Sequence, residues 1–263
     1  MTNHLLLFIK NPQLGRVKTR LAATVGDELA LEFYRRLLHF TRQVALETEA
    51  ERHLFYSDFV DEKDDWPARF FQKKKQSGHD LGERMKAAFQ SVFNKNESVL
   101  SDLLRKSPRW RKPLPNPSPK GRGFSILQIF ELSGLSKTGR IYSPLRLAEG
   151  AGGGAFARSL LKKKVVIIGS DCAQLTSDIL DSAFQKLETA PFVIGPSFDG
   201  GYYLLGMNRF EPSVFDEIEW SSSSVFQKTL EKITALGLEV SLLPALPDID
   251  TEDDWLRFAT RLH

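Results

Sequence analysis

Val165-Val166-Ile167-Ile168-Gly169-Ser170-Asp171-Cys172 decides the fold class. Four β-branched residues in an unbroken run, closed by glycine, read as a strand buried on both faces, the kind found in the middle of a parallel sheet. A carboxylate just past the end of such a strand stands where open α/β sheets bind their ligands. Asp171 is therefore a candidate ligand for a metal that bridges phosphate oxygens, with a helix-cap or turn aspartate as the alternative. Cys172 reads as a small packing residue, because no local partner would activate its thiol.

Outward from this strand the chain alternates between strand and helix. Toward the C-terminus, residues 177–187 are helical and capped by Thr176 or Ser177. Residues 192–195 and 202–206 are strand-like, separated by the turn Pro196-Ser197-Phe198-Asp199-Gly200-Gly201. A helix over 224–236, a strand over 239–243 and a last helix over 251–261 follow. Toward the N-terminus, residues 5–9 form a short apolar strand, 28–49 have helical spacing, 53–57 suit a strand, and 80–93 form a helix with Leu81, Met85, Ala88, Phe89 and Val92 on one face. This order predicts a Rossmann-like three-layer α/β fold, a mostly parallel central sheet covered on both faces.

Residues 97–162 break the rhythm. They hold 6 of the 13 prolines and the run Gly152-Gly153-Gly154. The expectation is a poorly ordered, exposed insertion within one domain spanning 1–263. Its charge suggests an alternative, an arm for nucleic acid or an anionic surface, but aromatic residues are sparse and not interleaved with the charges. The same segment explains the apparent basicity of the chain, net charge +3 and pI near 8.9. Residues 105–164 contain 14 Lys or Arg against Glu131 and Glu149, so the remainder carries 22 basic and 31 acidic residues, a net charge of −9. No specific nucleic-acid partner is expected.

Hydrophobic residues make up 41% and charged residues 26%, enough apolar material for a core. No apolar run approaches the roughly 20 residues that span a bilayer. The first ten residues read as a strand rather than a signal peptide, so no membrane partner is expected. A single cysteine excludes an internal disulfide and a cysteine-cluster zinc site, and fits a reducing cytoplasm. His4, His39, His53, His79 and His263 show no metal-ligand spacing, and neither a G-x-S-x-G elbow nor an H-E-x-x-H motif is present.

Four further loops could carry chemistry. Lys10-Asn11-Pro12-Gln13-Leu14-Gly15-Arg16-Val17-Lys18-Thr19-Arg20-Leu21 follows the first strand. Backbone N–H groups around Gly15, with Lys10, Arg16, Lys18 and Arg20, suit a phosphate, although a solvated basic turn would look the same and the P-loop spacing is absent. In Gln76-Ser77-Gly78-His79-Asp80-Leu81-Gly82-Glu83-Arg84-Met85, Gly78 and Gly82 allow close approach to a ligand, while Asp80 suits a helix cap. Asp199-Gly200-Gly201 reads by itself as a hairpin turn. In Pro247-Asp248-Ile249-Asp250-Thr251-Glu252-Asp253-Asp254, Asp248 and Asp250 share a face if the stretch is extended, which makes them metal or substrate candidates. Thr251 and Asp254 fit a capping pattern, and Glu252 and Asp253 suit the positive end of a helix.

These loops, in this order, resemble the GT-A-like transferase family described as radical-SAM- or selenodomain-associated glycosyltransferase-like proteins, within the nucleotide-diphospho-sugar transferase superfamily. The resemblance rests on Phe8 to Leu21, Gln76 to Met85, Ile168 to Cys172, Gly195-Pro196 with Asp199 to Gly206, Trp220, and Asp248 to Thr251, and it covers residues 1–95 and 164–263. Ala173 stands where the family usually has proline.

The resemblance implies that the basic loop and Arg84, with Gly78, Asp80, Gly82, Gly200 and Gly201, contact a nucleotide. It further implies that Asp171, Asp248 and Asp250 hold Mg²⁺ or Mn²⁺, and that Asp199 meets the acceptor or sugar as the catalytic residue. The expected activity is metal-dependent transfer from a nucleotide-activated sugar to a small-molecule acceptor. A nucleotidyltransferase and a catalytically silent nucleotide-binding protein are the alternatives.

Overall fold

The computed structural model describes residues 1–94 and 162–258. The chain divides into a unit of Met1–Asn94 with Lys162–His263 and a second unit of Lys95–Leu161. The second unit lies outside the described residues, and with it the insertion expected over 97–162, apart from Lys162.

The first unit runs β1 (Thr2–Ile9), α1 (Thr19–Val25), α2 (Asp27–Glu47), β2 (Glu51–Tyr56), β3 (Phe71–Lys75), α3 (Leu81–Phe93), β4 (Lys163–Ile168), α4 (Ser177–Lys186), β5 (Phe192–Pro196), β6 (Tyr202–Met207), α5 (Val225–Ala235), β7 (Val240–Leu242) and α6 (Glu252–Phe258). Among the described residues the seven strands form one sheet in the order β3-β2-β1-β4-β6-β5-β7. β3, β2, β1 and β4 are mutually parallel, and β7 is parallel to β5. β6 runs against both its neighbours, β4 and β5. The sheet is therefore mostly parallel, as the alternation predicts.

Side chains alternate across this sheet, and each face finds its own helices. Leu5, Leu7 and Ile9 of β1 pack with Leu54, Tyr56, Val166 and Ile168 beneath Leu31, Tyr34 and Leu38 of α2 and Leu180 and Phe184 of α4. Leu6, Phe55, Val165 and Ile167 face Met85, Ala88, Phe89 and Val92 of α3 and Ile233 of α5. Every residue of β4 is buried, which is why Val165–Ile168 is a continuous apolar run instead of alternating. The first two residues, Lys163 and Lys164, are buried with their ammonium groups bonded to the Val92 carbonyl and to Glu188.

The helix ends follow the capping chemistry of the sequence. Asp80 accepts from the Glu83 backbone N–H at 2.8 Å, and Thr176 from that of Ile179 at 3.4 Å. Before α6, the Asp254 N–H donates to Thr251 Oγ1 at 3.2 Å, and the Thr251 N–H donates to Asp254 Oδ2 at 3.0 Å.

Two elements carry no clear signal in the sequence. β3 is an edge strand containing Lys73, Lys74 and Lys75, with only Phe71 buried. α1 has seven residues and one buried side chain, Leu21, too few for a period to show. The last helix is described to Phe258, and the remainder of its expected span lies outside the described residues. No described helix is long and apolar enough to cross a membrane.

Candidate functional site

The loops that leave β1, β2, β3 and β4 gather at one edge of the sheet, where the β5–β6 turn and the segment before α6 join them. Together they enclose an open pocket of about 850 Å³. Lys10, Lys18, Arg20, Arg84, Asp171, Asp199, Gly201, Asp248 and Asp250 all line it. Residues up to 240 positions apart in sequence meet here because parallel strands present their carboxyl ends on the same side.

Uncharged side chains fix the floor. The Tyr34 hydroxyl accepts from the Lys10 backbone N–H at 2.8 Å, donates to the Lys10 carbonyl at 3.1 Å and meets Ser170 Oγ at 3.2 Å. One residue of α2 thus ties the end of β1 to the loop after β4. Burial, and then the charge of Asp171, pushes its phenol well above the usual range. Gln76 Nε2 donates to the Ile9 and Phe55 carbonyls at 3.2 and 3.1 Å, holding the ends of β1 and β2 together. The same residue positions Arg84, whose Nη1 lies 3.5 Å from Gln76 Oε1 and whose Nε donates to the Gly78 carbonyl at 3.1 Å. Asn11 is buried and accepts from the Asp58 and Phe59 backbone N–H groups at 3.0 and 3.3 Å, so it latches the first loop to the loop after β2.

The charged groups centre on Lys18. Its backbone is left-handed, φ 47° and ψ 43°, at the start of α1. This turns the side chain inward, where it is only 5% exposed. Its Nζ lies 2.7 Å from Asp171 Oδ1 and 3.6 Å from Asp250 Oδ1, and donates to the Ile249 carbonyl at 2.5 Å. The sequence suggests a phosphate ligand; the structure shows an ammonium seated among oxygen atoms. Arg20 is 81% exposed, with its Nη1 3.3 Å from Asp250 Oδ2.

The side chains of the 248–250 stretch alternate, which is the pattern an extended segment gives. Ile249 turns into the core while Asp248 and Asp250 face the pocket. Asp248 is pushed up to about 7, first by burial and then by the charges of Asp199 and Asp171, with Lys18 opposing and Asp250 adding. Asp199 Oδ1 accepts from Ser197 Oγ at 2.5 Å and from the Gly201 N–H at 2.9 Å, so the turn orients the carboxylate that it also exposes. A second pocket of about 690 Å³ lies beside the first and shares Arg20, Asp199, Asp248 and Asp250 with it. The carboxylates form the ridge between the two.

Six candidate binding residues do not line the main pocket: Gly15, Arg16, Gly78, Asp80, Gly82 and Gly200. Arg16 donates to Gln13 Oε1 at 3.0 Å on the surface. Asp80 is the cap of α3. Gly82 and Gly200 act one layer behind the wall. A Cβ at Gly82 would overlap the Trp220 indole, and one at Gly200, where φ is 90°, would overlap the Ser223 carbonyl. Trp220, Ser221, Ser222 and Ser223 all line the pocket. That serine run and Tyr34 belong to no motif, and Ser170, though it stands beside Asp171 in one, is not among the candidate site residues of the sequence. The left-handed Ser221, φ 67°, marks the bend.

Cys172 is buried and its thiol is pushed up to about 12, chiefly by desolvation, in keeping with packing rather than nucleophilic chemistry. Two of the histidines come together only in the fold. The spacing suggested no ligand set, yet His4 and His53 meet across β1 and β2 beside Glu51. Strand pairing brings together residues 49 apart, which no local motif can signal.

A family model described as an uncharacterized protein conserved in bacteria, DUF2064, matches residues 153–222, the stretch that carries Asp171, Asp199 and Trp220. The structure of a candidate nucleotide-diphospho-sugar transferase from Desulfovibrio desulfuricans G20 is 29% identical, with a TM-score of 0.64, covering 95% of this chain and 84% of that one. An inositol-1-phosphate CTP transferase from T. maritima is 10% identical, with a TM-score of 0.46 and coverage of 99% and 96%. The second likeness is too distant to bear on function. No curated protein matches the sequence. The chain thus has the mixed α/β fold, with a seven-stranded mostly parallel sheet, of its Desulfovibrio neighbour.

Proposed function

We propose that the protein is a metal-dependent glycosyltransferase-like transferase that acts on a nucleotide-activated sugar. The observation that carries this reading is the ridge of Asp199, Asp248 and Asp250 between two pockets at the carboxyl ends of the strands, with Asp171 beside it in the main pocket. One pocket suits a donor and the other an acceptor, and the ridge lies where a group passing between them would be held.

The donor set fits a hard divalent cation. The groups around Lys18 Nζ are the Asp171 and Asp250 carboxylates and the Ile249 carbonyl, all oxygen. Asp248 is pushed up to about 7, first by burial and then by the neighbouring Asp199 and Asp171 charges, which a bound cation would offset. Asp171 and Asp250, with Asp248, would hold Mg²⁺ or Mn²⁺. When bound, the ion would supply charge neutralisation for a departing diphosphate.

The chain's own residues do the rest. Lys10, Arg20 and Arg84 face the main pocket and bind phosphate oxygens, with Arg84 aimed by Gln76. Lys18 holds the Asp171 and Asp250 carboxylates close together until a stronger cation replaces it. Asp199, fixed by Ser197 and Gly201, faces both pockets and accepts a hydrogen bond from the acceptor hydroxyl.

A thermal-shift panel of nucleoside diphosphates and nucleotide sugars, with Mg²⁺, with Mn²⁺ and with chelator, tests the reading. At least one nucleotide sugar should raise the melting temperature only with metal, and should release its nucleoside diphosphate when an acceptor is supplied. No metal-dependent shift across the panel would contradict the proposal. Pyrophosphate release from a nucleoside triphosphate would instead assign the same pocket to nucleotidyl transfer.

A further inference from the structure

The amino ends of β1 and β2 carry a second polar cluster, at the edge of the sheet opposite the pocket. His4 of β1 pairs with Glu51 of β2, and His53 follows two residues on, so alternation sends all three side chains to one face. Leu6 and Phe55, further along the same face, pack in the core with Met85 and Phe89 of α3. His4 and His53 are buried, whereas the Glu51 side chain is 55% exposed. His4 Nδ1 lies 3.3 Å from His53 Nε2 and 3.7 Å from Glu51 Oε2, and the three ligand atoms lie within 4.8 Å of one another.

A hydrogen bond between two neutral imidazoles would account for the first distance alone. The same distance suits a shared ion, and two further features go beyond it. Two nitrogens on a tetrahedral zinc, each about 2.0–2.1 Å from the ion, stand about 3.3–3.4 Å apart, so these rings can share an ion almost without moving. Thr2 Oγ1 lies 3.1 Å from His4 Nε2. An N–H donated from Nε2 to that hydroxyl leaves Nδ1 unprotonated, with its lone pair turned toward His53 and Glu51, which is how outer partners orient metal-bound imidazoles. Finally, the carboxylate completes a two-imidazole, one-carboxylate set, and its exposure gives an ion a way in.

We infer that His4, Glu51 and His53 form a binding site for one divalent transition metal of the zinc class. The ion bridges β1 and β2 at their amino ends, and its role is to hold the two strands in register. This site is independent of the proposed function, whose cations are hard and whose ligands are carboxylates.

The test uses the full chain without a polyhistidine tag, stripped with chelator and titrated with Zn²⁺ against a chromophoric competitor. The expected result is one ion per chain, tetrahedral visible absorption when Co²⁺ replaces Zn²⁺, and a melting temperature raised by roughly 5–10 °C at a hundredfold excess over Kd. His4→Gln should abolish the Co²⁺ spectrum. Should that variant not fold, Glu51→Gln carries the test, because its side chain is exposed, and it should weaken binding at least tenfold. Asp171→Asn should leave the Zn²⁺ titration unchanged. Absence of Zn²⁺ binding by the parent, equal affinity in Glu51→Gln, or loss of binding in Asp171→Asn would each overturn the inference.

Discussion

β1 and β2 end in two different kinds of polar cluster. At their carboxyl ends the loops open onto solvent; Asp171 and Asp250 pair with the buried Lys18 ammonium and Asp250 with the exposed Arg20 guanidinium, beside Asp199 and Asp248. At their amino ends, two imidazoles are buried against each other with one carboxylate beside them. Both stand on strands whose middle residues, Leu5, Leu6, Leu7 and Leu54, are fully buried, so neither cluster can be reached from the other through the sheet. An open site can hold surplus charge because water and an incoming ligand share the cost of desolvating it. A closed one must satisfy its polar groups internally, and neutral histidine does so at far lower cost than lysine or aspartate. On the readings proposed above, the contrast separates a site that exchanges charged ligands from one that holds a single ion.

The largest effect that would break this contrast lies at Lys18. Replacing it by methionine removes the one buried cation from the carboxylate ridge and leaves Asp171, Asp248 and Asp250 repelling one another. The expected loss is about 1–3 kcal/mol in chelator, less than for a fully buried pair because the carboxylates are partly solvated. Mn²⁺ should restore part of it, and denaturant melts with and without the ion measure both. Destabilisation that Mn²⁺ leaves untouched would mean that Lys18 is a packing residue and not the holder of a cation seat.

Next is Gly82→Ala, which forces a methyl group into the Trp220 indole behind the pocket wall. Overpacking of this kind costs about 1–3 kcal/mol. Because Trp220 lines the pocket, nucleotide affinity should fall with stability. A variant that melts with the parent would show that Trp220 moves freely and does not shape the wall.

Asp248 gives a dependence on pH with a definite sign. Its folded-state carboxyl titrates near 7 and its unfolded one near the ordinary 3.8, so between these values the folded chain keeps a proton that the unfolded chain releases. In chelator, the contribution of this group to stability therefore falls as pH rises from about 4 to about 7 and stays lost above that. Asp248→Asn, which cannot ionise, should gain melting temperature over the parent at pH 8 relative to pH 5. Mn²⁺ at pH 8 should narrow the gap. A difference that runs the other way would place the proton elsewhere in the ridge.

The smallest effect separates neighbours in one acidic stretch. Asp253→Ala removes an exposed charge from the first turn of α6 and should cost about 0.3–1 kcal/mol while keeping the metal response. Asp250→Ala should shrink that response. The reverse pattern would move the cation seat onto α6.

The fold was legible where burial is uniform or periodic. β4 and α2 show themselves because every residue of one, and one face of the other, meets the core. β3 does not, because an edge strand with three consecutive lysines buries little and has no apolar signal. Within the site, Asp171 and Asp248 could be named from their places after a strand and in an extended run. The inward turn of Lys18 could not, since it depends on one left-handed backbone step. Tyr34 carries no signal of its own within the helical 28–49 stretch, and only the packing of α2 against β1 and β4 gives its hydroxyl the task of joining two loops. The histidine pair escaped for the same reason: the strands bring together what the sequence keeps apart.

The central claim is that the carboxylate ridge takes a divalent cation together with a nucleotide diphosphate. The most direct measurement is to count bound Mn²⁺ by electron paramagnetic resonance, with and without a nucleoside diphosphate, in the parent and in Asp171→Asn. The account predicts weak Mn²⁺ binding by the parent alone, at least tenfold tighter binding with the nucleotide, and loss of that gain in the variant while its far-ultraviolet spectrum and melt remain those of a folded chain. Mn²⁺ affinity that is indifferent to the nucleotide, or equal in parent and Asp171→Asn, would contradict it.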